Sequence, residues 1–189
     1  MTAEPMGHVC PPSVIKWLNS PLRKLIQNPK KLFGGIIQPG QTVADLGCGG
    51  GFFTVELAKM VGESGRVIAV DLQPEMLVYT EKLARKKGVF DRIILHQCQQ
   101  NDLGLSEPKV DFALALYVLH EVPDRVRFLR QSVGLMKPEA RFMLVEPTHH
   151  VKPEQLQQIL SEAESVGLVQ IKPIKFAFSR GMLCRRNGL

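Results

Sequence analysis

Short apolar runs alternate with helix-period segments along most of the chain. The runs at 41–46, 66–70, 93–96, 110–116 and 141–146 predict five buried strands. The intervening segments beginning at residues 52, 74 and 123, and the segment 153–165, have apolar residues on one face and predict amphipathic helices. Two further strands, 168–176 and 178–186, are joined too tightly for a parallel crossover. The pattern predicts an α/β fold, a doubly wound and mostly parallel sheet with an antiparallel terminal hairpin.

The first 38 residues have a different pattern, in which short apolar clusters are separated by prolines. Pro21 and Pro29 can each open a helix at its first turn, so residues 1–38 are predicted to form an N-terminal helical cap. Two roles are open for it: a cover over the sheet edge or core, or a lid over a substrate. Because 189 residues suffice for one sizeable core, residues 39–189 are predicted to form the main unit of a single domain.

The stretch TVADLGCGGGFF at residues 42–53 is the centre of the predicted fold. An apolar strand passes there into glycines at alternate positions, Gly47, Gly49 and Gly51, before a helix begins. Glycine accepts positive φ and has no Cβ, so this backbone can lie against a ligand at the positive end of the helix. A structural turn or a nucleotide-binding loop is the alternative interpretation of a glycine loop taken alone.

Two acidic residues at strand ends distinguish between possible ligands. Asp45 would repel the pyrophosphate of a dinucleotide, but it would attract the ammonium and sulfonium of S-adenosylmethionine (SAM). The second strand ends at Asp71, where a carboxylate can accept hydrogen bonds from a ribose diol. The alternative for Asp71 is an N-cap of the helix that follows.

The acidic-x-Gly-x-Gly-x-Gly pattern resembles motif I of the class I SAM-dependent methyltransferases. The resemblance covers about residues 35–186 and rests on VADLGCGGG, VIAVDLQPEML, DFALALYVLHEVPD and LMKPEARFMLVEP. The chain looks most similar to small methyltransferases related to those of ubiquinone and menaquinone biosynthesis. This resemblance implies a Rossmann-like, seven-stranded sheet whose last strand inserts antiparallel beside the fifth. It also implies SAM as the cofactor and S-adenosylhomocysteine as the product.

The motif positions also give the cofactor contacts that the resemblance implies. The family commonly has an acidic residue in the loop beside the adenine, whereas the corresponding loop here is QCQQND. An amide can both donate to and accept from an adenine edge, so the loop can keep that role. The predicted cofactor-binding residues are Asp45, Gly47, Cys48, Gly49, Gly51, Asp71, Leu72, Gln99, Gln100, Asn101 and Leu116.

Methyl transfer needs positioned reactants and, for some acceptors, removal of a proton. His120 follows the fourth strand and is the candidate catalytic base, because an imidazole pKa of about 6.5 suits proton abstraction near neutral pH. A structural role at the helix entry is the alternative. The candidate substrate contacts are Tyr117, Glu121, Glu146 and His149. No metal is predicted, since these groups are dispersed and the four cysteines form no C-x-x-C pair.

The predicted acceptor is a small molecule. The formal net charge is +6, but the basic residues are spread along the chain, so nucleic acid is disfavoured. LYVL after the fourth strand also lacks the Asn/Asp-Pro-Pro-aromatic tetrad and the Pro-Cys nucleophile of nucleic-acid base methyltransferases. The alternatives are an RNA or protein methyltransferase, or a SAM-binding protein without transfer activity. A thiol-dependent metalloid methyltransferase would require Cys10, Cys48 and Cys98 to converge.

The expected location is the cytoplasm. No apolar run approaches the roughly 20 residues that span a bilayer. The first residues, MTAEPMGHVCPP, have neither the basic start nor the apolar segment of a secretory signal.

Overall fold

The computed structural model describes residues 27–107 and 109–187. A 3₁₀ turn, Phe90–Arg92, precedes the strand Ile93–Gln97. In these ranges no helix has both the length and the apolar character needed to cross a bilayer. The helices and strands in chain order are α1 (Pro29–Phe33), β1 (Thr42–Leu46), α2 (Phe52–Val61), β2 (Arg66–Asp71), α3 (Pro74–Lys86), β3 (Ile93–Gln97), β4 (Val110–Leu116), α4 (Arg125–Leu135), β5 (Met136–Pro147), α5 (Pro153–Ser165), β6 (Leu168–Phe176) and β7 (Ser179–Arg186).

The seven strands form one sheet in the order β3-β2-β1-β4-β5-β7-β6. Strands β1 to β5 are parallel, and β7 runs antiparallel between β5 and β6. The predicted fold class and the insertion of the last strand beside the fifth are therefore confirmed. Because the chain moves outward from β1 in both directions, the carboxyl ends of β1 and β4 border a crevice of the kind in which α/β sheets bind ligands.

The core lies on both faces of the sheet, because successive strand residues point to opposite sides. Val43 and Phe112 belong to one cluster, together with residues of α1, α2 and α3. Their chain neighbours Ala44 and Ala113 belong to the other, with residues of α4 and α5. This two-sided burial explains why the central strands are continuous apolar runs rather than alternating ones.

Two elements begin more than one residue away from their predicted starts. Helix α4 begins at Arg125 rather than Pro123, and the side chain of its N-cap, Asp124, accepts the N–H of Arg127 at 2.9 Å. Strand β5 begins at Met136, ahead of the predicted start at residue 141. Met136 pairs with β4 before a register shift, and the left-handed backbone of Glu139 then turns the chain within the polar Lys-Pro-Glu-Ala stretch.

Only the end of the predicted N-terminal cap lies within the described residues. Helix α1 begins at Pro29, as predicted. Phe33 at its end is fully buried, and its ring meets Phe53 of α2 edge-on at 5.8 Å between centroids. This helix therefore covers the face of the sheet that α2 covers. Residues 1–26, including Pro21, lie outside the described part, and the division at residue 38 stays a prediction.

The pairing of β5 with β7 depends on a close backbone approach at Gly181. This residue lies opposite Val145, and a Cβ there would collide with the backbone of Leu144 and Val145. We expect Gly181→Ala to force the strands apart and to lower the free energy of unfolding by about 1–3 kcal/mol, the usual cost of overpacking. Urea denaturation followed by circular dichroism measures this change.

The matched control is Gly134→Ala near the end of α4. A Cβ at Gly134 would meet nothing within 4 Å, and alanine stabilises a helix by up to about 1 kcal/mol relative to glycine. We expect this variant to be as stable as the parent or more so. Equal destabilisation by both substitutions would contradict the steric argument at Gly181.

Candidate active site

The glycine loop joins β1 to α2 at the carboxyl edge of the sheet. Gly47, Gly49 and Gly51 all have left-handed backbones, with φ of 75°, 52° and 81°, a conformation that glycine adopts without steric cost. The N–H groups of Gly47 and Cys48 donate to the carbonyl of Val70 at 2.8 and 2.9 Å. The loop is thereby fixed to the end of β2.

The three glycines differ in the space that their surroundings leave for a Cβ atom. A Cβ at Gly47 would overlap the side chain of Val118, and one at Gly51, the N-cap of α2, would lie 2.8 Å from Thr80 Oγ1 on α3. A Cβ at Gly49 would meet nothing within 4 Å. Gly47 and Gly51 are therefore required by close packing, while Gly49 borders open space.

Asp71, at the end of β2, is 8% exposed. Its Oδ2 accepts the N–H of Gly49 at 2.8 Å, and its Oδ1 accepts that of Gln73 at 3.0 Å. Burial raises the pKa of Asp71, and these backbone donors oppose the rise. The N-cap of α3 is Gln73, not Asp71. Since a carboxylate has about four acceptor sites, Asp71 keeps capacity for the hydroxyls of a ribose.

A second carboxylate lies at the end of β1. Asp45 is buried, and its Oδ2 accepts the hydroxyl of Thr54 on α2 at 2.6 Å. Burial raises the pKa of the neighbouring Cys48 thiol well above its ordinary value, and the charges of Asp45 and Asp71 raise it further. Two carboxylates make this end of the site acidic, as a bound ammonium or sulfonium requires.

The cysteines in the described part of the chain are thiols. Cys48, Cys98 and Cys184 are free, and burial raises the pKa of Cys98 to about 11 and that of Cys184 to about 12. Cys48 and Cys98 border the same cavity, while Cys184 belongs to the core under α4 and α5. Cys10 lies outside the described residues. Because the thiolate is the reactive form, these pKa values disfavour thiol chemistry here.

A cavity of about 760 Å³ runs along the carboxyl edge of the sheet. Gly51 and Glu146 do not border it, since Gly51 packs against Thr80 and Glu146 is fully buried. The other predicted site residues do border it: Asp45, Gly47, Cys48, Gly49, Asp71, Leu72, Gln99, Gln100, Asn101, Leu116, Tyr117, His120, Glu121 and His149.

The loop after β3 contributes an acidic residue that the sequence-based prediction missed. Gln99 and Asp102 exchange backbone hydrogen bonds at 2.8 and 3.1 Å, which closes a tight turn. Asp102 borders the cavity, and its Oδ1 accepts the N–H of Gly104 at 2.9 Å. Its signal was present, because Asp102 is the carboxylate of the QCQQND stretch, one position beyond the predicted amides.

His120 lies in the loop between β4 and α4, and its side chain is 18% exposed. Its Nδ1 is 2.5 Å from Glu146 Oε2, and its Nε2 is 3.8 Å from Glu121 Oε1. Burial alone would lower the pKa of His120, but the hydrogen bond and charge of Glu146, with the charge of Glu121, raise it overall. The structure thus brings together three residues that the sequence selected separately.

Two more histidines follow β5 beside His120. The ring of His150 lies edge-on to His120 at 5.3 Å and to His149 at 4.4 Å between centroids. Partial burial lowers the pKa of His150, and its two histidine neighbours add to the effect. Among the described residues, no group of three His, Cys, Asp or Glu side chains is arranged to hold a metal ion.

Tyr117 connects three distant parts of the chain beside the cavity. Its φ is 63°, a value that non-glycine residues rarely adopt. Its hydroxyl lies 2.6 Å from Ser179 Oγ of β7 and accepts the amide N–H of Gln27 at 2.7 Å. Ser179 and Gln27 carried no sequence signal, because only the fold brings them to the cavity.

An exposed aromatic side chain lies at the β6–β7 turn. Phe178 borders the cavity yet is 77% exposed. Its carbonyl accepts the N–H and the hydroxyl of Thr148 at 2.8 and 3.0 Å, so the turn is fixed to the loop that carries His149. An apolar ring held in this position is available to an apolar ligand.

Residues 37–174 match the family described as a methyltransferase domain. This chain belongs to that family. A demethylmenaquinone methyltransferase from Lactobacillus johnsonii is 30% identical over 125 residues, which are 66% of this chain and 51% of the relative. A ubiquinone/menaquinone biosynthesis C-methyltransferase from Vibrio vulnificus is 30% identical over 109 residues, 58% of this chain and 42% of the relative. The chain spans about half the length of the curated relatives it matches.

Solved structures agree with this family. A SAM-dependent methyltransferase from Aquifex aeolicus has a TM-score of 0.84 and 27% identity, covering 94% of this chain and all of the other. A putative rRNA methylase from Clostridium thermocellum has a TM-score of 0.68 and 19% identity, covering 86% of this chain and 97% of the other, and shows the fold alone. The predicted family and the predicted cofactor, SAM, are confirmed.

The residues present fit this cofactor. Asp45 and Asp71 supply negative charge, and open space at Gly49 leaves room beside the backbone. We propose that Asp71 binds the ribose of SAM. Asp71→Asn replaces one acceptor oxygen by an amide donor, so we expect it to weaken SAM binding by about 1.5–3 kcal/mol, the range for hydrogen bonds to a charged group. Isothermal titration calorimetry measures the dissociation constant.

Asp91→Asn serves as the control, because its side chain is 69% exposed and does not border the cavity. We expect its affinity for SAM to equal that of the parent. An unchanged affinity in folded Asp71→Asn would exclude Asp71 as a ribose ligand.

Proposed function

We propose that this chain transfers a methyl group from SAM to a small, largely apolar acceptor that carries an aromatic hydroxyl. One observation carries the proposal: a single cavity joins the acidic end at Asp45 and Asp71 to His120. Its volume of about 760 Å³ is within the range of small-ligand pockets, about 300–1,000 Å³. The cofactor and the reacting part of the acceptor can therefore share one site.

The wall of the acceptor end supports an apolar ring as the ligand. Four apolar side chains border the cavity. Val122 and Phe128 follow His120 in the chain. Pro147 ends β5 and Phe178 precedes β7, at the same edge of the sheet. Such side chains favour flat, apolar groups, and a few polar groups among them fix the orientation. Relatives named for the methylation of demethylmenaquinone and for ubiquinone and menaquinone biosynthesis support a hydroquinone-type acceptor.

The proposed steps use residues of the chain itself. SAM, when bound, supplies an electrophilic methyl group. Asp71 and the glycine loop bind and orient the cofactor, while the apolar wall excludes water. His120 Nε2 removes the proton of the acceptor hydroxyl, which increases the electron density of the aromatic ring and so its nucleophilicity. The charge of Glu146 stabilises the imidazolium that this proton transfer forms. With SAM bound, a ring carbon would take the methyl group, and S-adenosylhomocysteine would be the leaving group. The same carbon would then release its own hydrogen as a proton, which would restore the aromatic ring.

The first test is transfer to a defined acceptor. Purified protein is incubated with methyl-labelled SAM and a demethylmenaquinol with a short prenyl chain, kept reduced without oxygen. We expect label in the extracted quinol. The oxidised quinone is the matched control, because it has no hydroxyl proton to remove and should stay unlabelled.

Other results would support the alternatives. SAM binding with no transfer to any quinol, phenol or amine in a metabolite extract would indicate a SAM-binding protein without transfer activity. Label found in RNA or protein, but not in small molecules, would replace the proposed acceptor with a macromolecule.

The pH dependence tests His120 as the base. Only neutral imidazole accepts a proton, and the pKa of His120 is raised above its ordinary 6.5. We therefore expect single-turnover transfer to rise with pH, with its midpoint above 6.5. His120→Gln should remove this rise and slow transfer by about 10²- to 10⁴-fold, the usual contribution of a general base.

His96→Gln is the control, because His96 does not border the cavity and glutamine can still donate to its partner, the carbonyl of Leu103. We expect this variant to keep the parent's rate and pH profile. Equal rates per folded molecule for His120→Gln and the parent would exclude His120 as the base.

A further inference from the structure

Glu146 is a fully buried carboxylate at the end of β5. Burial of an ionised carboxylate is costly unless hydrogen bonds satisfy it. Glu146 has one such partner on each oxygen: Leu119 N–H donates to Oε1 at 2.9 Å, and His120 Nδ1 lies 2.5 Å from Oε2. Glu146 does not border the cavity, whereas its partner His120 does, so Glu146 can act on a ligand through the His120 ring.

The contact between His120 Nδ1 and Glu146 Oε2 determines where the proton of the neutral His120 ring lies. An ionised carboxylate only accepts hydrogen bonds, so Nδ1 must carry the hydrogen that it shares with Oε2. A neutral imidazole has a single N–H, and its other nitrogen, Nε2, then carries a lone pair. His120 borders the cavity, and Nε2 is the ring nitrogen that is not bound to Glu146.

We propose that Glu146 is a positioning residue that holds the neutral His120 ring in the tautomer with its proton on Nδ1, leaving Nε2 as the proton acceptor toward the cavity. This inference deepens the proposed function and rests on it for its catalytic consequence. The tautomer itself follows from the hydrogen bonds of the free protein.

Other charged groups surround His120, but their contacts differ. Glu121 approaches Nε2 from the same loop at 3.8 Å, and His149 and His150 lie in the loop after β5. Arg125, at the start of α4, is paired with Glu162 at 2.6 Å. Among these groups, the carboxylate of Glu146 lies within hydrogen-bond distance of Nδ1. This hydrogen bond selects the tautomer.

Glu146→Gln discriminates between this role and simple packing, because it keeps the size of the side chain. Leu119 N–H needs an acceptor, so the amide oxygen of glutamine must face it. The amide NH₂ then faces His120 Nδ1, which must become the acceptor. The ring proton moves to Nε2, and the nitrogen toward the cavity can no longer take a proton.

Nitrogen NMR of the protein with ¹⁵N-labelled histidine tests the tautomer without any acceptor. The His120 signals are assigned by their loss in His120→Gln. In the parent, above the pKa of His120, we expect the Nδ1–H tautomer; in Glu146→Gln we expect the Nε2–H tautomer and a lower pKa. The Nε2–H tautomer in the parent would overturn the proposal, and this measurement needs no Glu146 variant to fold.

Kinetics test the catalytic consequence. If the quinol assay shows transfer by the parent, Glu146→Gln should lower kcat by about 10²- to 10⁴-fold, with the KM for the acceptor and the affinity for SAM nearly unchanged. It should also lose the rise of kcat with pH. Parent activity with an unchanged kcat per folded molecule in Glu146→Gln would overturn the positioning role, whereas no parent activity would count against the proposed function instead.

Glu56→Gln is the matched control for neutralising a buried glutamate. Glu56 of α2 is 8% exposed, pairs with Lys59 at 2.9 Å and does not border the cavity. We expect it to change stability but neither the His120 tautomer nor kcat. A fall in kcat equal to that of Glu146→Gln would overturn a specific role for Glu146.

Discussion

The site depends on the close packing of the glycine loop between two neighbouring elements. Val118 occupies the space of a Cβ at Gly47, and Thr80 does so at Gly51. The Thr80 hydroxyl also donates to the carbonyl of Gly49 at 2.8 Å. Because backbone and side chains are packed this closely, α3 and the loop after β4 fix the loop in one conformation, and Asp71 can reach the N–H of Gly49.

Carboxylates at three strand ends have different chemical roles because their partners differ. Asp45 and Asp71 receive hydroxyl and backbone donors and keep negative charge at the cofactor end. Glu146 instead holds a histidine, so its charge acts on the proton equilibrium of that ring. Because the pKa of His120 is raised in the folded state, its protonation contributes to the free energy of unfolding. This contribution has its full value below pH 6.5 and is lost as the pH rises through the pKa of the folded state.

The cofactor and the acceptor depend on different parts of the cavity. The family and the cofactor depend on the glycine loop and the strand ends, which lie inside the matching residues 37–174. The acceptor depends on the other end of the cavity, which includes Phe178 of the β6–β7 turn and Gln27. Phe178 and Gln27 lie outside the family match, whereas His120, Phe128 and Pro147 lie inside it. The acceptor is inferred from the chemistry of the site and from the names of relatives.

The sequence by itself determined the order of strands and helices, the glycine loop and Asp71, because hydrophobic periodicity, glycine and strand-end charge are local signals. It did not determine the roles of His120 and Glu146, which are 26 positions apart and meet because β4 and β5 are parallel neighbours. The contact of Tyr117 with Ser179 likewise requires β7 to insert beside β5. Only the tertiary structure decides such pairings, since they depend on which strand ends share an edge of the sheet.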